Sequence, residues 1–505
     1  MQTYLALLSI GPVQSFISQA RKLQDLHAGS CMLSHFACVA ATWLRERGAG
    51  VIFPAVDLES APNRILFTVS TEEASSVSAL CKGCEDNLRK EFLRFCEEQI
   101  QSVPRSNLVL TLAVRAQLEP FLQVYWAAVS LGDDYEVAYQ ALLMRLGAAK
   151  ALRVFQQLKE PSARKCSVTG QRNALFSRVK LQNLSKNRQF LPEERIEYLK
   201  DNEALSAIAF VKRCFGVSLA GFPSTRLIAK GIPFPTQDDL KRDDDDESER
   251  YYAILCFDGD RMGEHYSACG SAEAQATLSE KLKLFVREAE EYVKHKTRGR
   301  LIYAGGEDFL GFFPLKDAFA ALLWLRKKFV EMFCTEKITF SAGLVFAHCK
   351  APLGTALQCC REMERLAKDK GRNALAVAAI KHSGSIETAW LRFDKCLREA
   401  VASLYDAMFV KKSCSANFVY SLLQEFQPLL PADEKGFNHD FGEMFLNEGN
   451  RWLIRSLSEV LSEVERIALG SQLKDDFEKI CIGMEQIQSI RLLRILAFVA
   501  RNGAE

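Results

Sequence analysis

Two pairs of acidic residues have types and spacing that could do chemistry. Asp258 and Asp260 sit in the run Phe257-Asp-Gly-Asp260, and Glu307 and Asp308 in Tyr303-Ala-Gly-Gly-Glu-Asp-Phe-Leu-Gly-Phe-Phe313. The first pair closes YYAILCF (251–257), an apolar run continuous enough for a central strand. The second occupies a glycine turn between RLIYA and FLGFFP, which reads as a hairpin. In a βαββ unit these strands are neighbours, so carboxylates distant in sequence converge at one sheet edge. Oxygen ligands in that number suit Mg²⁺ or Mn²⁺ bridging nucleotide phosphates, the arrangement of two-metal phosphoryl or nucleotidyl transfer. Gly305 and Gly306 would allow φ > 0 and let the backbone approach a phosphate or ribose. A third element, Ala367-Lys-Asp-Lys-Gly-Arg-Asn373, ends a helix running into a strand. Its Lys368 and Arg372, at i,i+4, could face a triphosphate together, lysine as a point charge and arginine as a fork.

The elements that must position these residues follow a βαββαβ order with one further strand. After YYAILCF come a helix over about 272–295, capped by Ser271, then the hairpin, a helix over 316–334, the strand ITFSAGLVFAH, a helix over 352–369 and the strand ALAVAAI. That is the ferredoxin-like order of palm domains. A weak internal repeat pairs YLALLSIGPVQSF with YAILCFDGDRMGEHY, and the first copy has Ile10 where the second has Asp258. The fold class expected is α+β, with two ferredoxin-like, nucleotide-cyclase-like palm domains, a helical middle domain and an α-helical C-terminal domain. The domains expected are a first palm over 1–130 lacking carboxylates, a mostly helical middle domain over 131–234 broken by the polar loop PSARKCSVTGQRN (161–173), an acidic linker over 235–250, a second palm over 251–387 and a helical region over 388–505. In the first palm, a helix is expected from about 13 to 46, strands at 51–56 and 64–69, and a helix at 72–101. The linker carries four consecutive aspartates, Asp243 to Asp246, too charged to pack.

The chain has 505 residues, 48% of them hydrophobic, enough for several cored domains. A net charge of +2 gives no polyanion-binding signal by itself. No run of 18 apolar residues and no basic leader occurs, so a cytoplasmic protein without membrane contact is expected. Sixteen cysteines without framework spacing read as reduced thiols acting as small hydrophobes.

With these motifs in order, the chain resembles the nucleotide-cyclase and GGDEF-type palm superfamily. More closely, IGPVQSFISQARKLQDLHAGSCMLS, GFPSTRLIA, FDGDRMGEHYS, AGGEDF and SAGLVFAHCKAPLGTAL are similar to the large subunit of type III-B (Cmr-type) CRISPR effector complexes, over roughly residues 1–385. The resemblance implies an ATP-binding nucleotidyltransferase of antiviral defence that makes cyclic oligoadenylate from ATP once its crRNA-guided complex has bound target RNA. It implies Asp258, Glu307 and Asp308 as catalytic residues. The same three with Gly259 would be metal ligands, and both palms would hold ATP. Gly305, Gly306, Lys368 and Arg372 would contact nucleotide, and Ser30 and Ser279 would contact adenine, with Ser34 competing with Ser30. Other Cmr-type subunits, crRNA and target RNA are the implied partners.

Three departures qualify the resemblance. Position 307 carries Glu where the family motif GGDD has Asp, lengthening the ligand by one methylene. The palm strand starts at residue 3, and His439-Asp440 lacks companion histidines, so an HD-nuclease-less variant without DNA cleavage is expected. CSVTGQ keeps Cys166 but has Thr169 in place of a second cysteine, and Cys81 and Cys84 have no second pair, so zinc is not expected. Two alternatives stay open: ATP joined to S-adenosylmethionine, and a subunit whose polymerase site has decayed to a scaffold.

Overall fold

A computed structural model describes residues 2–54, 61–152, 160–219, 221–236, 238–240, 250–429 and 439–503. The aspartate run 243–246 lies outside the described residues. The chain divides into two compact units. One comprises Met1–Phe222, Arg261–Arg287 and Ile302–Gly306, the other Pro223–Asp260, Glu288–Leu301 and Glu307–Glu505.

The first unit is built on four antiparallel strands, β1 (Gln2–Gly11), β2 (Gly50–Phe53), β3 (Arg64–Thr71) and β4 (Gln123–Ser130), in the order β2-β3-β1-β4. With helices Leu23–Arg45 and Ala74–Gln101 as the crossovers, this is the expected ferredoxin-like arrangement. β1 is paired on both edges, Leu7 facing Leu66 and Ala127, so its run LALLSI is buried throughout. The helix expected over 13–46 is two helices, Gln14–Ser18 and Leu23–Arg45.

Asp134 caps the helix Tyr135–Ala151, accepting from the Val137 N–H. Its Tyr135, Tyr139, Leu142 and Leu146 pack on Leu5, Leu7, Leu66 and Val129. This helix, expected in the middle domain, therefore covers the first sheet. Between 160 and 206 the backbone is mainly turns around three two-residue strands, β5 (Phe176–Ser177), β6 (Gln189–Phe190) and β7 (Ala204–Leu205), and helix resumes only at Ala207–Ser218. Helix in 131–234 therefore lies at the flanks, and the turns that begin in the loop 161–173 continue to residue 206. A charge cluster fixes that segment instead. The buried Arg213 guanidinium donates to both carboxylate oxygens of Asp25, to Glu203 and to the Tyr198 carbonyl. Lys212 donates to the carbonyls of Phe16, Ile17 and Gln19, groups the short Gln14–Ser18 helix cannot satisfy itself.

A second sheet has the order β13-β12-β11-β8-β10-β9, formed by β8 (Tyr251–Gly259), β9 (Arg300–Gly305), β10 (Asp308–Pro314), β11 (Phe340–His348), β12 (Ala374–Ile380) and β13 (Ile386–Arg392), and all of its strands but β9 lie within the second unit. Its first four strands repeat the order of the first sheet, and β1 and β8 are the equivalent central strands. Ile10 and Asp258 are the penultimate residue of each. β13 was not expected. It runs through the 387/388 boundary, antiparallel to β12, and its half-exposed alternation reads equally well as the start of a helix. Beyond it lie helices Lys395–Tyr405, Asn417–Phe426, His439–Arg455, Glu463–Gly483 and Gln486–Asn502.

One contact sets where the helix Leu353–Asp369 lies. At Gly343 in the centre of β11 an added Cβ would stand 2.4 Å from the Cys360 carbonyl oxygen and 2.8 Å from the Glu364 nitrogen. The helix backbone rests on the strand because residue 343 has no side chain. The Cys360 thiol packs beside it, 2.9 Å from Cys256 Sγ on β8.

Arg213→Met should destabilise the protein by about 3–5 kcal/mol, because it strands Asp25 and Glu203 as buried, uncompensated charges. Chemical denaturation of the purified chain measures this, and a loss under 1 kcal/mol would refute a structural role for the cluster. Gly343→Ala should cost about 1–3 kcal/mol by overpacking. An unchanged thermal midpoint would show that the helix does not rest on the strand.

Candidate functional site

Asp258 lies at the end of β8 with Asp308 of β10 as its direct cross-strand partner on one side and Ser341 of β11 on the other. The residues joining β9 to β10 are Gly306 and Glu307, a two-residue hairpin turn. Gly306 has φ of +78°, the left-handed value a first turn position demands of glycine. Gly305 does not share it. An added Cβ there would meet nothing within 4 Å, so its contribution is open space beside the backbone. The Glu307 carbonyl accepts from the Gly259 N–H at 3.1 Å, tying the turn to the end of β8.

The electrostatics are those of crowded carboxylates. Burial raises Asp308, and the Asp258, Glu364 and Glu307 carboxylates raise it further against the opposing Arg361, to about 8. Burial also holds Asp258 and Glu364 above the usual carboxylate range despite Lys368. Burial works to lower the Lys368 ammonium, yet its bonds to Asp258 and to Glu364 Oε1, the latter at 2.7 Å, outweigh that and raise it. Like charges directly opposite across a strand pair destabilise the sheet. One lysine only partly relieves four acids.

Asp260, the second acid of FDGD, has another task. Its 4%-exposed carboxylate accepts from Thr339 Oγ1 and Ser341 Oγ, each at 2.6 Å, and from the Asn373 N–H at 3.0 Å. It fixes β8 to the start of β11 and to the AKDKGRN turn, using three of the roughly four acceptor sites of a carboxylate.

Lys368 and Arg372 are not stacked as i,i+4 helix neighbours. The helix ends at Asp369, and Gly371, Arg372 and Asn373 all take left-handed φ. Lys368 reaches the carboxylates, whereas Arg372 is exposed and makes no side-chain bond among the described residues. Ser30 and Ser279 belong to the first compact unit. Ser34 Oγ bonds both backbone groups of Ala61, which leaves Ser30 as the serine of that pair without a side-chain bond among the described residues. The sequence reading missed Glu364 and Arg361, although Glu364 precedes Lys368 by one helical turn.

Among the described residues no three His, Cys, Asp or Glu side chains are already gathered as a metal-holding group. The donor set nonetheless fits Mg²⁺ or Mn²⁺. It is all oxygen and short of positive charge, and Mg²⁺ is usually held by one or two carboxylates completed by substrate phosphates and water. The thiols of Cys81 and Cys84 are buried and pushed up to about 12, the opposite of the thiolate that zinc requires. Among the described residues no helix is long and apolar enough to cross a membrane.

Residues 251–376 match the family model described as Cas10/Cmr2, second palm domain, and residues 5–97 match CRISPR-associated protein Cmr2, N-terminal. The CRISPR system Cmr subunit Cmr2 of Pyrococcus furiosus is 28% identical over 214 residues, 35% of this chain and 24% of that protein. The single-strand-specific deoxyribonuclease Cas10/Csm1 (subtype III-A) of Enterococcus italicus is 28% identical over 155 residues, 30% of this chain and 20% of that protein. The matched stretches therefore span a quarter or less of these curated relatives. A chain of the type III-B Cmr-beta complex, solved in its apo state, superposes with a TM-score of 0.69 at 12% identity, covering 99% of this chain and 82% of that one. The Csm1-Csm4 cassette in complex with cA4 gives 0.54 at 14% identity, covering 100% and 70%. Two family models in the expected order, each falling on one of the two ferredoxin-like sheets, make the chain similar to Cas10/Cmr2 proteins over those two domains.

Proposed function

We propose that this chain is the large subunit of a type III-B effector complex, in which it acts as a metal-dependent nucleotidyltransferase making cyclic oligoadenylate from ATP when crRNA has paired with target RNA. The observation that carries this reading is the opposed pair Asp258 and Asp308, buried enough to raise both acids, with Lys368 bonded to Asp258. A sheet keeps such a destabilising pair where a cationic ligand is to be held. Fold neighbours of the Csm1-Csm4 type solved with cA4 and with pppApA support adenylate products, by likeness of fold alone.

In this reaction the 3′-hydroxyl oxygen of one adenylate attacks the α-phosphorus of ATP. The new P–O bond forms, the α–β anhydride bond breaks, pyrophosphate leaves and the hydroxyl proton passes to solvent. Asp258, Glu307 and Asp308, with the Gly259 carbonyl, would hold Mg²⁺ or Mn²⁺, which when bound offsets charge on the triphosphate. Lys368 exchanges its carboxylate partners for phosphate oxygens, and the unpaired Arg372 offers a planar fork to the same group. Gly305 leaves room for the ribose beside the turn. Ser30 and Ser279 are proposed as adenine contacts.

Incubating the assembled complex with ATP, Mg²⁺ or Mn²⁺ and target RNA, with and without S-adenosylmethionine, and identifying products by mass spectrometry tests the reading. Asp308→Ala should lower product formation by on the order of 10²–10³, the cost of losing one preorganised charge-stabilising group, while complex assembly and RNA binding persist. Glu307→Asp should retain activity, because it keeps the charge and shortens the reach by one methylene. Parental rates in both Asp258→Ala and Asp308→Ala complexes would replace this reading with a scaffold role.

A further inference from the structure

At the opposite end of β8 from Asp258, a cavity of about 240 Å³ lies wholly within the second unit. Tyr251 opens the strand there, seven residues from Asp258, or about 23 Å at the usual rise of a strand. Five cationic side chains line the cavity: Lys230, Arg250, Arg298, Lys316 and Arg501. Asp317 offsets one of them, accepting from Arg298 at 2.8 Å. Arg501 also lies over the Tyr420 ring, and Lys230 and Arg250 have further partners. Lys316 is exposed and makes no ion pair among the described residues.

The cavity also receives the start of the 18-residue helix Leu315–Met332, whose N-terminus has no side-chain cap. Lys316 in that first turn opposes the dipole, and the acid of the same turn, Asp317, is engaged by Arg298. Converging cations and an uncapped helix start point to one ligand chemistry. The aromatic residues of the lining, Tyr251 and Phe409, are 8% and 1% exposed and offer no face on which a base could stack. Recognition is therefore of phosphate groups rather than of a nucleobase.

We propose that this cavity is a second anion site, remote from the carboxylates, that takes a compact phosphate-bearing group of the pyrophosphate or triphosphate type. Its chemistry needs no divalent metal, because protein cations supply the charge. That property separates it from the Asp258–Asp308 site, where any phosphate would be held through a cation.

Calorimetric titration of the full chain with pyrophosphate in EDTA tests the proposal. Binding is expected without metal and should survive Asp308→Ala. It should weaken about tenfold in Lys316→Ala, the loss of one charged hydrogen bond, and further in Lys316→Glu. Both variants alter an exposed side chain, and circular dichroism checks that they fold. Parallel titrations with tripolyphosphate and with a short RNA lacking terminal phosphates distinguish a free polyphosphate from a phosphodiester strand. Absence of pyrophosphate binding in EDTA, equal affinity in the Lys316 variants, or RNA binding in place of pyrophosphate would each overturn it. None of these outcomes depends on nucleotidyltransfer, so the failure of either reading can be told from the failure of the other.

Discussion

A carboxylate that holds no ligand governs the geometry of the acidic site. Asp260 collects three donors from two different segments, Thr339 and Ser341 at the start of β11 and Asn373 in the turn after the Leu353–Asp369 helix. Its carboxylate ties that turn to the end of β8 and the neighbouring strand, which the sheet ladder already joins to each other. The turn is expensive in conformational terms, since Arg372 and Asn373 are both non-glycine residues with left-handed φ. Its backbone N–H to a buried charge is the type of bond strong enough to offset such strain. Arg326, bonded to the Asn373 side chain, reinforces it from the adjacent helix.

The same logic extends along the helix. Gly343 lets the helix backbone touch β11, and that contact sets the height from which Glu364 and Lys368 reach the end of β8. Packing and charge are thus coupled through one residue without a side chain. The close approach fixes where the lysine starts, and the carboxylates fix where it points.

The second palm was legible because its strands are buried on both faces and read as apolar runs, and because the acids and glycines fall at their ends. Central β8 and β11 are of this kind, and β12 likewise. β13 escaped because an edge strand is half exposed and its pattern does not exclude a helix. The apolar face of Tyr135–Ala151 was visible, but nothing in its spacing said that its partner would be the first sheet rather than the next segment. The polar loop 161–173 was visible, but the turns that follow it to residue 206 escaped because a buried arginine, not a hydrophobic period, organises them. Within the site, FDGD showed two acids but not their different surroundings, since one comes to oppose Asp308 and the other becomes a tie only when three chain segments meet. The i,i+4 reading of Lys368 and Arg372 assumed one more helical turn than Gly371 allows.

Opposed acids at Asp258 and Asp308 have a thermodynamic meaning beyond chemistry. A cation held between them, as proposed above, would relieve that crowding, so occupancy and folding would be linked through mass action. On that reading the melting temperature of this domain would rise with the divalent cation and nucleotide supplied to it, and would serve as a gauge of both.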